Sequence, residues 1–345
     1  MKKQIGLVVI MYIVTMLTAV SCCGANAPIR HDFPRVGPYE VITGDFHMHT
    51  THSDGKLNTR ERVEESYRWG YDAIAVTDHG KMGGCRVAKY VGEQLGMIVI
   101  TGYESGVAGK EHLVVLNVPT DLPIRDAHHW AEKPGEPKAY YRDELKKIAD
   151  AGGLVIYPHP HVGYREPVLW GVEQGIIQGI EYKNGVVGKG WNTIEDHGTW
   201  WYPHAVDFAL KNNLAIFANS DVHGNRAPDT SPVTLLLVTE RTNKGVIDAI
   251  KGRRTAAWFN GMLWGRADLL TDLLVASVVA KKAAGGVEIE NLSPIGLLGT
   301  AGSKVIDLKP YQKITITEPS GRLSIKWDNV WTDLTTNLTT VHKVK

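Results

Sequence analysis

Between Tyr39 and about residue 260, short apolar runs alternate with segments of helical spacing. The runs are Ala73 to Val76, Met97 to Ile100, Leu113 to Leu116, Gly153 to Ile156, Ile176 to Ile180, Leu214 to Ala218 and Val233 to Val238. Each is almost continuously apolar, which suits strands buried on both faces, as in a parallel sheet. Thr59 to Trp69, Tyr141 to Ala151, Trp201 to Asn212 and Asn243 to Gly252 place apolar residues at helical intervals, and several of these segments close on Gly or Asn. Those two residues readily take the left-handed conformation that ends a helix. Such βα repetition predicts an α/β barrel, with reactive residues at the C-terminal ends of its strands. After a helical stretch from Thr271 to Ala283, the segments starting at Gly286, Lys304, Lys313 and Arg322 alternate apolar and polar residues. A period of two predicts half-buried antiparallel strands, so a barrel domain over 39–283 is expected to precede a small β module over 284–345.

The N-terminus has a different pattern. Lys2 and Lys3 precede an apolar run from Ile5 to Val20 and then small residues, the layout of a secretory signal over 1–27. Ala19-Val20-Ser21-Cys22 resembles a lipoprotein processing site, which would attach a lipid anchor at Cys22, while Ala25-Asn26-Ala27 offers an ordinary cleavage site. An uncleaved anchor is the alternative, although a span needs about 20 apolar residues. The expectation is export from a bacterial cytoplasm, to the periplasm or to a membrane as a lipoprotein. Pro28 to Pro38 reads as a tether. Cys22 and Cys23 sit at the processing site, so Cys85 is left as the thiol of the folded body, which excludes an intramolecular disulfide there. With 345 residues, 43% of them hydrophobic, the chain can build one large core and a small appendage. The 38 basic and 37 acidic residues leave a formal charge of +1, which provides no general field for a polyanion and disfavours a nucleic-acid partner.

The candidate chemistry lies at the ends of the expected strands. In Gly44-Asp45-Phe46-His47-Met48-His49, two histidines two apart on a strand project from one face and can clasp an ion. His52 and Asp54 follow, and Thr77-Asp78-His79 ends the next strand. Glu104 comes after the run ending at Ile100, His112 before Leu113, His159 after Tyr157, and Asp221-Val222-His223 after Ala218. Carboxylates can bridge cations while neutral imidazoles complete the coordination shells, a mixture suited to zinc, manganese or iron. A lone histidine of this kind is usually a hydrogen-bonded core residue; the whole set converging in one barrel would be costly without metal.

This order resembles the PHP (polymerase and histidinol phosphatase) superfamily over about residues 40 to 260: a His-x-His followed by an Asp, a Thr-Asp-His, a Glu, two spaced His and a final Asp-x-His. The resemblance implies a distorted seven-stranded (β/α) barrel holding two or three divalent ions. It places His47, His49, Glu104 and Asp221 on the first ion, with Glu104 bridging to a second held by His112 and His159, and Asp54, His79 and His223 around a third. Lys211 to His223 and Gly252 to Phe259 are similar to the exported phosphodiesterases of the Sb-PDE family, which also carry a small C-terminal β module. The segment Gly80 to Arg86 and the second histidine in Tyr157-Pro158-His159-Pro160-His161 depart from that pattern.

The implied activity is hydrolysis of a small-molecule phosphoester, most readily a diester, with a hydroxide shared by two ions as nucleophile. A phosphomonoesterase of histidinol phosphatase type and a non-catalytic exported metal-binding protein are the alternatives. Nothing in the sequence implies a protein partner. His161 and His52 are candidates for substrate positioning or for proton delivery to the leaving oxygen, His161 ahead. Asp78 is expected to orient its neighbours by hydrogen bonding. Of Lys81, Arg86, Arg165 and Arg226, Arg226 is the expected phosphate contact. Trp130, Trp170, Trp191, Trp200 and Trp201 are pocket or core residues, and His128, His129, His197 and His204 surface or loop residues.

Overall fold

The apolar runs form strands whose ends lie within three residues of their expected places, in a computed structural model that describes residues 27–107, 111–124, 141–186, 201–228, 231–317 and 321–345. The expected signal up to residue 26 lies outside the described residues. The chain runs β1 (Glu40–Asp45), α1 (Thr59–Arg68), β2 (Ala73–Ala75), α2 (Cys85–Leu95), β3 (Ile98–Ile100), β4 (Gly102–Val107), β5 (Glu111–Leu116), α3 (Tyr141–Asp150), β6 (Leu154–Tyr157), α4 (Glu166–Glu173), β7 (Ile177–Lys183), α5 (Pro203–Asn212), β8 (Ala215–Ala218), β9 (Val233–Val238) and α6 (Asn243–Lys251). It continues through β10 (Thr255–Phe259), β11 (Met262–Gly265), α7 (Ala267–Ser277), β12 (Val278–Ala283), β13 (Gly286–Asn291), β14 (Leu297–Ala301), β15 (Lys304–Leu308), β16 (Lys313–Ile316), β17 (Arg322–Trp331) and β18 (Asn337–Lys343).

Mixed α/β architecture is present, and the strands of the described residues fall into three hydrogen-bonded sheets. One sheet has the order β15-β14-β17-β11-β10-β9-β1-β2-β3, with β18 beside β17, and a second has the order β4-β5-β6-β7-β8. Ile42, Phe46, Ala75 and Leu236 of the first sheet's region and Val114, Ile156 and Phe217 of the second pack into one buried cluster, so both sheets enclose a common interior. Burying side chains of this size contributes about 1.5–3 kcal/mol each. At the β8 edge, threonine side chains do what a ladder would do: Ile216 N donates to Thr255 Oγ1 at 2.9 Å and Ala218 N to Thr234 Oγ1 at 3.0 Å.

Several expectations change. β9 is antiparallel to both β1 and β10, and β5 is antiparallel to both β4 and β6. An apolar run reports burial on both faces and carries no record of its neighbours' direction, so parallel pairing could not be read from it. The helix near Thr271 ends at Ser277, and Val278–Ala283 is strand β12, paired along its length with β13. Of the C-terminal strands, β14, β15, β17 and β18 are continuous with the first sheet through a parallel register of Leu263 with Val330 and Trp264 with Trp331, while β12, β13 and β16 form a sheet of their own. Leu270, Leu273 and Leu274 of α7 share a core with Ile325, Trp327 and Val330. Helix α1 begins as its sequence dictates: Asn58 accepts from Glu61 N while Glu61 reaches back to Asn58 N, a capping box. Cys85 is buried and unbridged.

Candidate metal centre

β1 ends at Asp45 and the chain stays extended, so His47 and His49 leave the backbone on one side. A parallel bridge joins Met48 to Val222, with Asp221 N donating to His47 O at 2.7 Å and His49 N to Val222 O at 3.0 Å. These bonds lay Asp221 and His223 beside the two histidines. A second bridge joins His79 to Glu104, and the antiparallel register of β4 with β5 sets Glu104 opposite Val114 and Gly106 opposite His112. Glu104 and His112 are therefore diagonal neighbours on one sheet face. Glu104 lies inside β4, a strand that follows the apolar run ending at Ile100.

Four buried atoms converge. His47 Nε2 lies 3.2 Å from both Glu104 Oε2 and Asp221 Oδ1, and His49 Nε2 lies 3.2 and 3.0 Å from the same two oxygens. A tetrahedron with edges of that length has its centre about 2 Å from each corner, the zinc-to-nitrogen and zinc-to-oxygen distance. None of the four atoms makes a hydrogen bond of proper geometry among the described residues, because they point at a common centre rather than at one another. Leaving such atoms unsatisfied costs about 1–3 kcal/mol each, more when charged, and a cation at the centre would satisfy them all. The donor set fits a divalent ion of the zinc, manganese or iron kind.

The other expected ligands surround this group. Glu104 Oε1 lies 2.8 Å from His112 Nδ1 and 3.1 Å from His159 Nε2. Glu104 thus presents one oxygen to each of two clusters, as a bridging ligand must. His79 Nδ1 approaches Glu104 Oε2 at 3.2 Å, so His79, Glu104 and His112 can also share an ion. Asp54 forms the third cluster, 3.5 Å from His79 Nε2, 3.3 Å from His223 Nε2 and 3.6 Å from His49 Nδ1. The side chain of Asp54 is 46% exposed, which puts this cluster at the solvent edge. His49 joins this cluster, beyond the Asp54, His79 and His223 that the resemblance implies.

The electrostatics match a site built for cations. Burial opposes charge on His49, yet the Asp221 and Glu104 carboxylates beside it raise its pKa to about 9. His47 is also raised, against burial, by Asp221, Glu104 and Glu181. Burial pushes the Glu104 carboxyl up, and His47 and His112 outweigh it and hold it well below its ordinary range. Protons therefore balance the carboxylates until an ion replaces them, and binding releases protons. Two ligands sit on strained backbone: His159 has φ +25° and Asp221 φ +51°. Such conformations cost about 1–3 kcal/mol each and cluster at functional sites.

A second layer fixes the ligands. His47 Nδ1 donates to Glu181 Oε1 at 2.9 Å, which aims Nε2 at the centre, where an ion would displace its proton. Glu181 also accepts from Asn219 Nδ2, His159 N and Asn184 Nδ2 at 3.0, 2.8 and 3.0 Å. Asp78 accepts from Thr50 N, Thr50 Oγ1 and Ser53 Oγ at 2.7, 2.7 and 2.8 Å, the orienting role expected of it. Glu181 is not among the expected site residues; the signal for it is an acid that, with Lys183, is buried in a strand whose other buried side chains are Ile177, Ile180 and Tyr182.

Two expected catalytic roles do not fit. Arg226 is fully buried behind the site: Nη1 donates to Asp45 Oδ2 at 2.7 Å, Nη2 to Ser66 Oγ at 3.2 Å, and the guanidinium lies over the Tyr71 ring. A phosphate cannot reach it. Proximity to His223 in sequence said nothing about direction, and the Asp45 and Glu65 carboxylates turned it inward. With Arg62, which donates to His49 O and Gly224 O at 3.0 and 2.7 Å, it staples the two ligand-bearing segments together. His161 lies beside His159, with ring centroids 5.3 Å apart, and donates Nδ1–H to His159 O at 2.6 Å. Burial and the neighbouring His159 lower its pKa to about 4, so at neutral pH it is an uncharged acceptor through Nε2, and proton delivery does not follow from this geometry.

His52, Lys81, Arg86 and Arg165 are exposed. Trp201 stands 5.2 Å from Trp264 and Trp170 5.9 Å from Tyr141, both in packing roles. His204 bonds the Tyr164 hydroxyl at 2.7 Å. Trp130, Trp191, Trp200, His128, His129 and His197 lie outside the described residues.

Residues 45–156 match the PHP domain family. The chain is similar to the PolC-type DNA polymerase III of Staphylococcus epidermidis, 35% identical over 136 residues, covering 36% of this chain and 9% of the polymerase. It is 31% identical over 84 residues to a phosphoribosyl 1,2-cyclic phosphate 1,2-diphosphodiesterase of Eggerthella lenta, covering 23% of this chain and 32% of that one. The chain thus spans less than half the length of these relatives. Its fold matches a crystal structure from Bacteroides vulgatus, a two-domain protein containing a predicted PHP-like metal-dependent phosphoesterase, with TM-score 0.76, 21% identity and coverage of 93% of this chain and all of the other.

Proposed function

We propose that this protein is a metal-dependent phosphoesterase that hydrolyses small phosphodiesters, of the kind found in the Sb-PDE family, and that it works outside the cytoplasm as a periplasmic protein or a lipoprotein anchored at Cys22. The convergence of His47 Nε2, His49 Nε2, Glu104 Oε2 and Asp221 Oδ1 on one buried point carries the reading. The PHP domain match over 45–156 supports phosphoester chemistry, and the diphosphodiesterase relative supports the diester class. The N-terminal sequence supports export.

Divalent ions held by these ligands would polarise a phosphoryl oxygen and acidify water to near neutrality. The protein's own groups prepare the place for that chemistry. Glu181 holds His47 in the ligating tautomer, and Asp78 holds the Thr50–Ser53 turn against the site. Asp54 and His223 face solvent at the edge, where a substrate enters. His161 Nε2 is an acceptor for a hydroxyl of substrate or water.

The test is turnover of bis(p-nitrophenyl) phosphate against p-nitrophenyl phosphate, with metal content measured by plasma spectrometry. His49 belongs to two of the clusters and His112 to one, so His49→Ala should lower the metal content more than His112→Ala and abolish turnover. A faster monoester rate would move the reading to the phosphatase class. Full turnover by folded, metal-depleted His49→Ala protein would overturn it.

A further inference from the structure

Another charged cleft lies away from the metal ligands. Tyr39, Asn213, Lys251, Arg253, Arg254, Arg266, Asp268 and Asp272 line an opening of about 540 Å³. Tyr39 precedes β1 whereas His47 follows it, and Asn213 precedes β8 whereas Asp221 follows it. β1 has 6 residues and so spans about 20 Å, which sets the cleft at the opposite end of the strands from the candidate metal centre.

Its cations are held in place from behind. Arg253 Nε donates to Asn213 O and Arg266 Nη2 to Asn213 Oδ1, so one residue draws two guanidiniums together. Arg254 lies over the Tyr39 ring, 5.0 Å from its centroid, and spends Nε on Leu237 O at 3.0 Å. Arg254 uses one nitrogen in this way and Arg266 one, which leaves the remaining guanidinium donors of each for a ligand. Among the described residues, no carboxylate forms an ion pair with Lys251, Arg253, Arg254 or Arg266. Four cations against Asp268 and Asp272 give the lining a net charge of +2; Asp248, paired with Lys244, also attracts Arg254 and Lys251 from outside the lining. Burial and the charge of Arg266 disfavour the charged form of Arg253, a like-charge contact that an anion would relieve. Helix α7 starts at the same wall, and its Arg266 N-cap provides no side-chain bond, so its first amides add donors.

We propose that this cleft is a binding site for a phosphate-bearing anion, gripped by Arg254, Arg266 and Lys251 and by the first turn of α7. Two sources share that chemistry, a soluble phosphorylated compound and the headgroup of an anionic lipid. The full chain, held in chelator so that the metal ligands do not capture phosphate, is titrated calorimetrically with inorganic pyrophosphate. It is also floated with vesicles of phosphatidylcholine with and without phosphatidylglycerol. Arg254→Ala/Arg266→Ala and, separately, the exposed charge reversal Lys251→Glu are compared with the wild type; all share one N-terminus, so only the difference between proteins counts. A soluble ligand predicts pyrophosphate binding weakened roughly tenfold or more by either variant. A headgroup ligand predicts no such binding but loss of the phosphatidylglycerol-dependent flotation, with raised salt abolishing it in the wild type. Should the double variant unfold, Lys251→Glu decides the matter alone. Wild-type binding and flotation that neither variant changes, or no binding in either assay, overturns the proposal.

Discussion

Replacing Glu181 by Gln tests whether the layer behind the ligands sets the metal affinity. All four neighbours of the carboxylate are donors: His47 Nδ1 and Asn219 Nδ2 on Oε1, His159 N and Asn184 Nδ2 on Oε2. A Gln amide must turn its NH2 toward one pair or the other. Neither asparagine can flip to oblige, since Asn219 Oδ1 accepts from Phe46 N at 3.0 Å and Asn184 Oδ1 from Val186 N at 2.8 Å. His47 could change tautomer, but the proton would then sit on Nε2, facing the ion. Two buried donors left without acceptors cost roughly 2–6 kcal/mol of folding stability, at about 1–3 kcal/mol each. Loss of a partner behind a ligand typically weakens metal binding about 10–100-fold, or roughly 1.4–2.7 kcal/mol. Urea unfolding measures the first quantity, and zinc titration against a chelating dye the second. If Glu181→Gln binds zinc within about twofold of the wild type at unchanged stability, the argument for this residue is wrong.

Two further outcomes follow from buried groups. Arg226→Met should destabilise the protein by about 3–5 kcal/mol, because it strands the buried Asp45 carboxylate, while KM for a phosphodiester stays constant in the folded protein; a raised KM at unchanged stability would return Arg226 to the substrate. His342 sits in a chain in which Trp327 Nε1 donates to Thr340 Oγ1, Thr340 bonds His342 Nε2, and His342 Nδ1 donates to Val278 O. Burial lowers its pKa against that last bond, so the folded protein favours the neutral ring. Its contribution to stability is complete above the unfolded pKa of about 6.5 and is lost as pH falls through the lower, folded value. His342→Gln should flatten the decline in melting temperature on acidification below pH 6.5, and an unchanged slope would remove His342 as its source.

The chain order of apolar runs by itself placed most core strands and the flanking helices α1, α3, α5 and α6, because burial and helical period are local properties of sequence. His47, His49, Asp54, His79, Glu104, His112, Asp221 and His223, which the structure brings into clusters able to hold an ion, stand out in the sequence as His, Asp and Glu near strand ends. Strand direction, the joining of β14, β15, β17 and β18 to the first sheet and the place of Glu104 within β4 depended on pairing between distant segments. The same holds for Glu181, found behind His47, and for Arg226, turned toward Asp45. A residue type advertises what it can bind, but which way it points is decided by neighbours that can lie far away in sequence, such as Asp45, separated from Arg226 by 181 positions.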